Sequence, residues 1–420
     1  MLDREALTEL HRAESGAILA YLIRVLGGDF ALAEDVLQEA FTAAFEQWPS
    51  EGTPPSPSAW LKRTARNKAI DRLRRRTRFE RPIDGMLFDP SASPLEQDAF
   101  GDNESGDDQL RLIFTCCHPA IALEAQVALT LHTLCGLTTE EIARAFMIDP
   151  TAMAQRLVRV KNKIKVAKIP YAVPEHTDLP ERLHAALAVV YLVFSEGYAA
   201  TRGDALVRQD LTRQAIRIGS LIERLLPEEP EPMALVALML LHEARRLART
   251  DANGDIVLLE DQDRSLWDPE LIRLGIERVQ RALRLGGASP YALQAAVAAL
   301  HAEAPSSDAT DWRQIGLLYT ELLRIDDSPV VRLNHAVAIA MADGPLAGLA
   351  LLEPLAELEA LRSYHLFYAA RADLLRRAGR TAEALSDYQA ALTLVQNEPE
   401  RRYLQRRVQQ LQDALRELNR

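Results

Sequence analysis

The stretch Trp60–Arg75 reads WLKRTARNKAIDRLRR and has the spacing of a single amphipathic α-helix. Leu61, Ala65, Ala69 and Leu73 recur every four positions, which places them on one apolar stripe. The other positions are mostly polar or basic, so only one side of this helix suits burial. The stretch therefore predicts a helix that packs on a helical partner and leaves a cationic face in solvent.

The face opposite the stripe is suited to nucleic acid. It offers an aromatic plane, cations for phosphate and an amide for base edges, from Trp60, Arg63, Asn67, Asp71 and Arg74. Ten basic residues lie between Lys62 and Arg81 against two acids, although the whole chain has a formal net charge of −11. We therefore favour a nucleic-acid contact over an ordinary solvated basic face.

A second amphipathic helix is predicted over residues 33–48. Its apolar arc consists of Val36, Leu37, Ala40, Phe41, Ala44, Phe45 and Trp48. The opposite arc carries acids such as Asp35, Glu39 and Glu46, with no Lys or Arg. Two interpretations remain open at this point, a solvated face and a docking face for a basic protein partner.

Residues 137–168 have the pattern of a helix-turn-helix. Thr138 and the acids that follow it predict the start of a first helix. Residues 148–150 predict a tight turn, and a second helix is predicted from Thr151 to about Ala167. That helix buries Met153, Leu157, Val160 and Ile164. Its polar arc, with residue types that read base edges in a major groove, is Gln155, Arg156, Arg159, Asn162 and Lys163.

The 420 residues divide into segments that all favour helix, so the predicted fold class is all-α. Nine acids, three prolines and three glycines predict a flexible acidic linker over 79–108. Gly344 and Gly379, 35 residues apart between helical segments, have the spacing of tetratricopeptide (TPR) repeats. An irregular helical array is the alternative. The predicted domains are 1–78, 109–168, a helical extension at 169–285, and TPR-like repeats at 286–420.

Other chemistry has weak support. Cys116-Cys117-His118 lacks the spacing of a zinc site, which favours buried packing. Residues 261–268 favour a polar network around Trp267 over a Ca²⁺ loop. We find no phosphate-binding or catalytic motif and expect no cofactor and no metal, although an enzyme using Glu196, His242 or Asp261 stays as a remote rival. Short apolar runs and the lack of a signal pattern predict a cytoplasmic protein with no membrane contact.

The order of these parts resembles bacterial RNA polymerase sigma factors of the extracytoplasmic-function (sigma-24-like) class. Residues 8–78 resemble their region 2, and residues 109–168 resemble region 4. The long remainder is similar to a subgroup with a TPR-like C-terminal extension. Residues 114–119, 191–198 and 261–264 resemble sequence motifs of that subgroup. The resemblance implies a protein that is not an enzyme and that binds core RNA polymerase and promoter DNA.

The resemblance also implies roles for residues. By this resemblance, the residues that contact the β′ clamp helices of polymerase are Asp35, Gln38, Glu39 and Phe41. The residues that contact the promoter −10 element are Trp60, Arg63, Asn67, Asp71 and Arg74. Those that contact the −35 element are Gln155, Arg156, Arg159, Asn162 and Lys163. A regulatory protein or ligand would act at the C-terminal domain. The alternative is a stand-alone helix-turn-helix regulator with a helical sensor domain, which leaves the helices at 33–48 and 59–78 without a role.

Overall fold

The computed structural model describes residues 4–79, 102–146, 148–200 and 206–418. These residues are almost entirely helical and contain no strand, so the predicted all-α class is confirmed. An isolated antiparallel bridge joins Thr250 and Ile256. The chain forms two compact units, Met1–Leu192 and Val193–Arg420.

The first unit is built from helices whose bounds follow in chain order. They are α1 (Arg4–Val25), α2 (Phe30–Glu51), α3 (Pro57–Phe79), α4 (Asp102–Cys116), α5 (Leu123–Thr133), α6 (Thr139–Ala145) and α7 (Pro150–Val166), and α8 (Leu179–Tyr198) begins in this unit.

The amphipathic patterns of α2 and α3 correctly predict most of their buried faces. In α3, Leu61, Ala65 and Ala69 are fully buried. In α2 the predicted apolar residues Val36, Leu37, Ala40, Ala44 and Trp48 are buried. Phe45 is a correction, because 51% of it is exposed although it falls on the predicted apolar arc. The arc is wider than the surface that α1 and α3 cover.

The helix-turn-helix pattern is present as α6 and α7. Thr138 and Glu141 form a reciprocal capping box at the start of α6. Asp149 caps α7 by accepting hydrogen bonds from the amides of Thr151 and Ala152, and Pro150 occupies the first helical position. The predicted apolar residues Met153, Leu157, Val160 and Ile164 are all buried.

The acidic linker ends earlier than the sequence predicts. Residues 80–101 of that segment lie outside the described residues, but α4 already begins at Asp102. Acidic side chains in a first helical turn are favoured by the helix dipole. Asp108, inside the predicted linker, is buried and accepts hydrogen bonds from Arg24 and Arg111. Residues 102–108 therefore belong to a packed helix.

The first unit also extends beyond residue 168, where the predicted domain ends. Tyr171 donates a hydrogen bond to the carbonyl oxygen of Ala20 at 2.8 Å. Arg182 donates to the carbonyl oxygen of Phe114. Because these contacts bind later residues to the earlier helices, the unit continues to Leu192, inside α8.

Helix α1 lies close to the backbone that follows α5. A Cβ atom on Gly16 would lie 2.6 Å from the carbonyl oxygen of Leu134, well inside van der Waals contact. Only glycine fits at that position without displacing one of the two backbones. The helices of the region-2-like segment and those of the helix-turn-helix segment therefore pack as one unit.

The second unit continues with helices in chain order. They are α9 (Gln209–Leu225), α10 (Pro230–Ala244), α11 (Pro269–Gly286), α12 (Pro290–Glu303), α13 (Trp312–Ile325), α14 (Pro329–Asp343), α15 (Pro345–Leu352), α16 (Glu359–Arg362), α17 (His365–Arg377), α18 (Thr381–Leu394) and α19 (Glu398–Leu418).

Two helical hairpins of the second unit turn at the glycines seen in the sequence. Gly344 joins α14 to α15, and Gly379 joins α17 to α18, each with a positive φ. A Cβ atom on Gly348 would lie 2.4 Å from the Cβ of Ala340, so α14 and α15 approach very closely. Small residues at these positions allow the close packing that the repeat pattern predicts.

The polar cluster at 261–268 forms a local network, which is the favoured interpretation of its sequence. Arg264 donates to the carbonyl oxygens of His301 and Ala304 at 2.6 and 2.8 Å, and its guanidinium lies 4.5 Å from the ring centre of Trp267. Asp268 caps α11. The network fixes the loop between α10 and α11 against the end of α12.

Candidate nucleic-acid interface

The outer face of α3, defined as Trp60, Arg63, Asn67, Asp71 and Arg74, lies on the side of the helix away from its buried stripe. Four of these residues are exposed, and Trp60 is half-buried. The Trp60 ring meets Trp48 edge-to-face at a centroid distance of 5.3 Å. One part of the aromatic plane is thus occupied by α2, and the rest borders the cationic face.

Two further cations of α3 point toward α2 rather than along the outer face. Lys68 Nζ lies 3.7 Å from a carboxylate oxygen of Glu39, and Arg72 donates a hydrogen bond to the same carboxylate. The hydrogen bond from Arg72, with the charges of both cations, lowers the pKa of Glu39. The sequence analysis did not single out Lys68 or Arg72. Their four-residue spacing, in register with the helix period, is the signal that could have paired them.

Three of the four predicted polymerase-contact residues share one side of α2. Asp35 and Gln38 are exposed, and Glu39 and Phe41 are half-buried. Phe41 contacts His11 of α1 edge-to-face, with ring centres 4.7 Å apart. Asp35, Gln38 and Glu39 line a shallow depression together with the two cations of α3. The structure thus brings three of the four residues together on one polar surface.

The outer face of α7, defined as Gln155, Arg156, Arg159, Asn162 and Lys163, is also accessible. Arg156 is half-buried and the other four are exposed. Arg156, Arg159 and Lys163 border a depression whose opposite wall includes Glu124. Since the apolar residues of α7 are buried on its other side, these five side chains remain available to a duplex.

A pair of contacts with Glu34 joins α2 to the helix-turn-helix segment and to α5. Lys161 of α7 donates a hydrogen bond to Glu34 of α2 at 2.6 Å, and His132 Nε2 lies 3.5 Å from the same carboxylate. Burial disfavours the charge on Glu34, but the interactions with His132 and Lys161 outweigh burial and lower its pKa. Sequence analysis missed this cluster, because its members lie far apart in the chain.

Comparison with known proteins finds two family matches and two relatives. Residues 10–79 match the model of sigma-70 region 2, the segment that holds α2 and α3. Residues 182–283 match a family of unknown function, DUF6596. The chain is 41% identical over 408 residues to the uncharacterized protein R00370 of Rhizobium meliloti, covering 97% of this chain and 95% of that protein.

A second relative carries a descriptive name. The probable RNA polymerase sigma factor RfaY of Xanthomonas campestris is 28% identical over 145 residues, 33% of this chain and 34% of that protein. The chain thus contains a sigma-70 region 2 segment and belongs to one family with the Rhizobium protein R00370. Together with its full-length Rhizobium relative, it adds a large second unit to the sigma-70 region 2 segment.

One solved structure overlaps the chain along its length. The crystal structure of yeast Tom70 aligns with a TM-score of 0.39 and 13% identity, over 98% of this chain and 85% of that one. An overlap at that score does not establish a shared topology.

The adjacent cysteines of this protein are packed in the interior of its first unit. Cys116 Sγ lies 3.3 Å from the hydroxyl of Thr133, and Cys117 Sγ lies 3.7 Å from that of Thr130. Burial raises the pKa of both thiols, that of Cys117 to about 11. The favoured interpretation of buried packing is confirmed. In the part of the chain that the structure describes, we find no helix with the length and apolar character needed to span a bilayer.

Proposed function

We propose that this protein is an extracytoplasmic-function sigma factor that binds core RNA polymerase and directs promoter-specific initiation. The observation that carries the proposal is the outer face of α3. Arg63, Asn67, Asp71 and Arg74 are exposed within the segment that matches sigma-70 region 2, and the buried stripe behind them holds the helix in place. We assign this face to the promoter −10 element.

The chemistry of the α3 outer face favours an opened strand. Arg63 and Arg74 provide phosphate contacts, which supply affinity by counterion release. Asn67 carries an amide that can donate to and accept from a base edge, and the free part of Trp60 provides a stacking surface. A fully stacked duplex offers neither base faces nor easy access to its paired edges, so this combination favours unstacked bases.

The outer face of α7 is assigned to the −35 element. Its cap at Asp149 and its buried residues leave one long side of the helix accessible, as a recognition helix requires. Arg156 and Arg159 have the fork geometry that pairs with guanine, and Gln155 and Asn162 have amides that pair with adenine. Lys163 adds a phosphate contact.

Polymerase binding is assigned to α2, through Asp35, Gln38, Glu39 and Phe41 and the β′ clamp helices. The exposed acids Asp35 and Glu46 give this surface a negative charge that suits a basic partner. The second unit, with its TPR-like hairpins, is assigned a regulatory role through a bound protein or ligand. It acts in place of a separate inhibitor and shields or frees the DNA-contact faces.

Run-off transcription with core polymerase tests these assignments. Asn67→Ala and Gln38→Ala, each made in the full chain, should lower transcript yield by about tenfold, equivalent to about 1.4 kcal/mol of lost interaction. Gln47→Ala is the matched control, since Gln47 is an exposed amide on α2 outside the proposed contacts. Its yield should not change.

Two results would contradict the proposal. One is an unchanged yield in both test variants with a normally folded protein. The other is tight, sequence-specific binding to duplex DNA at physiological salt by the chain alone, with no association with polymerase. That second result would favour a stand-alone helix-turn-helix regulator.

A further inference from the structure

The second unit contains a cavity of about 480 Å³ that the proposed transcription role does not use. Its walls come from the end of α8, the segment after α10, the loop at 256–262, and the helices α14, α17 and α19. This volume lies in the range of small-molecule sites in proteins. Much of the wall is aliphatic, with Ile256, Val257, Leu258, Leu333 and Val337.

Two arginines line the cavity, and the described carboxylates leave both without an ion pair. Arg245 donates a hydrogen bond to the hydroxyl of Tyr198, and Arg249 donates to the carbonyl oxygen of the same residue. The Arg249 guanidinium also lies 3.5 Å from the centre of the Tyr198 ring. Both partners are uncharged, and no described carboxylate forms an ion pair with either guanidinium. The charges of Glu243 and Glu400 act on Arg249 from farther away and offset its charge only in part. Arg246, between them in the chain, pairs with Glu243 at 3.0 Å and does not line the cavity.

The histidine beside this pair does not offset the charge. Arg245 Nη2 lies 3.4 Å from His242 Nδ1. Burial, together with the charges of Arg245 and Arg249, keeps the pKa of His242 well below its usual range. Burial and the charge of Arg245 also lower the pKa of Arg249. His242 is therefore uncharged at neutral pH and provides no counter-charge.

The carboxylate among the described lining residues is already engaged. Glu400 lies 2.9 Å from His365 Nε2 and accepts a hydrogen bond from Asn397 at 2.6 Å. These partners, from α17 and from the residue before α19, hold its carboxylate, and only its charge acts on Arg249. An incoming anion is thus the available partner for the two guanidinium groups.

A buried acceptor completes the cavity. Gln262 is only 9% exposed, and its amide nitrogen donates to the carbonyl oxygen of Val257 at 3.2 Å. Its Oε1 is enclosed and has no hydrogen-bond partner in the described structure. A buried acceptor left unsatisfied is costly, so a donor that enters the cavity would relieve that cost.

We propose that this cavity binds a small organic anion, whose carboxylate or phosphate is held by Arg245 and Arg249. The apolar body of the ligand lies against the aliphatic wall, and a hydroxyl or amine group donates to Gln262. The inference does not depend on the transcription role, because binding is measurable on the protein without polymerase or DNA. Arg245, Arg249 and Gln262 lie in the region that matches a family of unknown function, so the proposal assigns anion binding to that region.

Calorimetric titration of the full chain with simple probes tests the proposal. The probes are 4-hydroxybenzoate, phenyl phosphate and the neutral 4-hydroxybenzamide. We expect one or both anions to bind with a dissociation constant of about 1 mM or lower, and at least about tenfold more tightly than the amide. The stronger of the two anions identifies carboxylate or phosphate as the preferred group.

Variants locate the site. Arg245→Gln and Arg249→Gln should each weaken binding of the preferred anion by at least about tenfold. Arg246→Gln is the matched control and should bind as the natural chain does. Arg249→Lys retains the positive charge and should retain most of the affinity for the preferred anion. If Arg249→Gln does not fold, Arg245→Gln remains as the variant that removes a charge. Benzoate, added as a fourth probe that lacks the hydroxyl group, tests Gln262: in Gln262→Met, 4-hydroxybenzoate should bind no more tightly than benzoate.

The proposal is overturned by any of three results. They are absence of binding by both anions at probe concentrations of about 10 mM, equal affinity for the neutral amide, and undiminished binding in folded Arg245→Gln and Arg249→Gln. Failure of these titrations would leave the transcription assays of the first unit unaffected, so the two proposals fail separately.

Discussion

Glu34 and Glu39 lie five residues apart on α2, and each holds a cation from one of the two basic helices. The contact with α3 is open to solvent, with side-chain exposures of 36% for Glu39 and 44% for Arg72. The contact with α7 is more enclosed, at 26% for Glu34 and 18% for Lys161. The two ion pairs, although made by the same kinds of residue, therefore contribute differently to the free energy of unfolding. The first contact adjusts a surface, and the second helps to hold the unit together.

The largest expected effect comes from breaking the packing around the enclosed contact. Gly16→Leu inserts a side chain where a Cβ alone would lie 2.6 Å from the Leu134 carbonyl oxygen. We expect a loss of about 3 kcal/mol in the free energy of unfolding of the first unit, measured by urea denaturation. Ala31→Leu, at an exposed position of α2, should change stability little. Equal losses in the two variants would show that α1 does not depend on this close approach.

An intermediate effect is expected from Glu34→Gln. The substitution leaves the half-buried Lys161 charge without its carboxylate, which should cost about 1–3 kcal/mol at neutral pH. Because the folded state lowers the pKa of Glu34, its contribution is fully present above the unfolded value near 4.5 and disappears as pH falls through the folded value. Urea denaturation should therefore show the difference between variant and natural chain shrinking from pH 7 toward about pH 3. A constant difference over that range would exclude this linkage.

The smallest effect is expected from Glu39→Gln. Its partners Lys68 and Arg72 are well solvated, so stability should hardly change, and any difference should vanish in about 1 M salt. The informative measurement is the melting temperature at low and high salt, beside Glu34→Gln. A loss as large as that of Glu34→Gln would mean that the two contacts are energetically alike.

The sequence predicts which side of each basic helix is buried, because helix periodicity alone determines that. Leu61 in α3 and Met153 in α7 are buried as their spacing predicts. Periodicity does not identify the partner of a face. The pairing of Glu34 with Lys161 spans 127 positions and depends on how α1, α2 and α7 pack. Phe45 has the right spacing for burial and remains exposed, because no helix in the described first unit covers it.

The binding residues of the second unit were still harder to predict. Arg245 and Arg249 have the four-residue spacing of many solvent-exposed pairs, and only their contacts with Tyr198 and the lack of a described carboxylate distinguish them. Gln262 was noted as part of a polar cluster, and its orphaned oxygen requires the folded loop to be seen. Site residues gathered from distant segments lack a local pattern.

The burial of Cys116, Cys117 and Cys135 makes thiol chemistry a reporter of motion in the first unit. The chain has three cysteines, and all of them are enclosed in that unit. An alkylating reagent can reach them only when the surrounding helices separate, and the raised pKa values of Cys116 and Cys117 slow the reaction of these two thiols further at neutral pH. Labelling rates on the intact protein thus follow the opening of this unit alone, without an introduced probe.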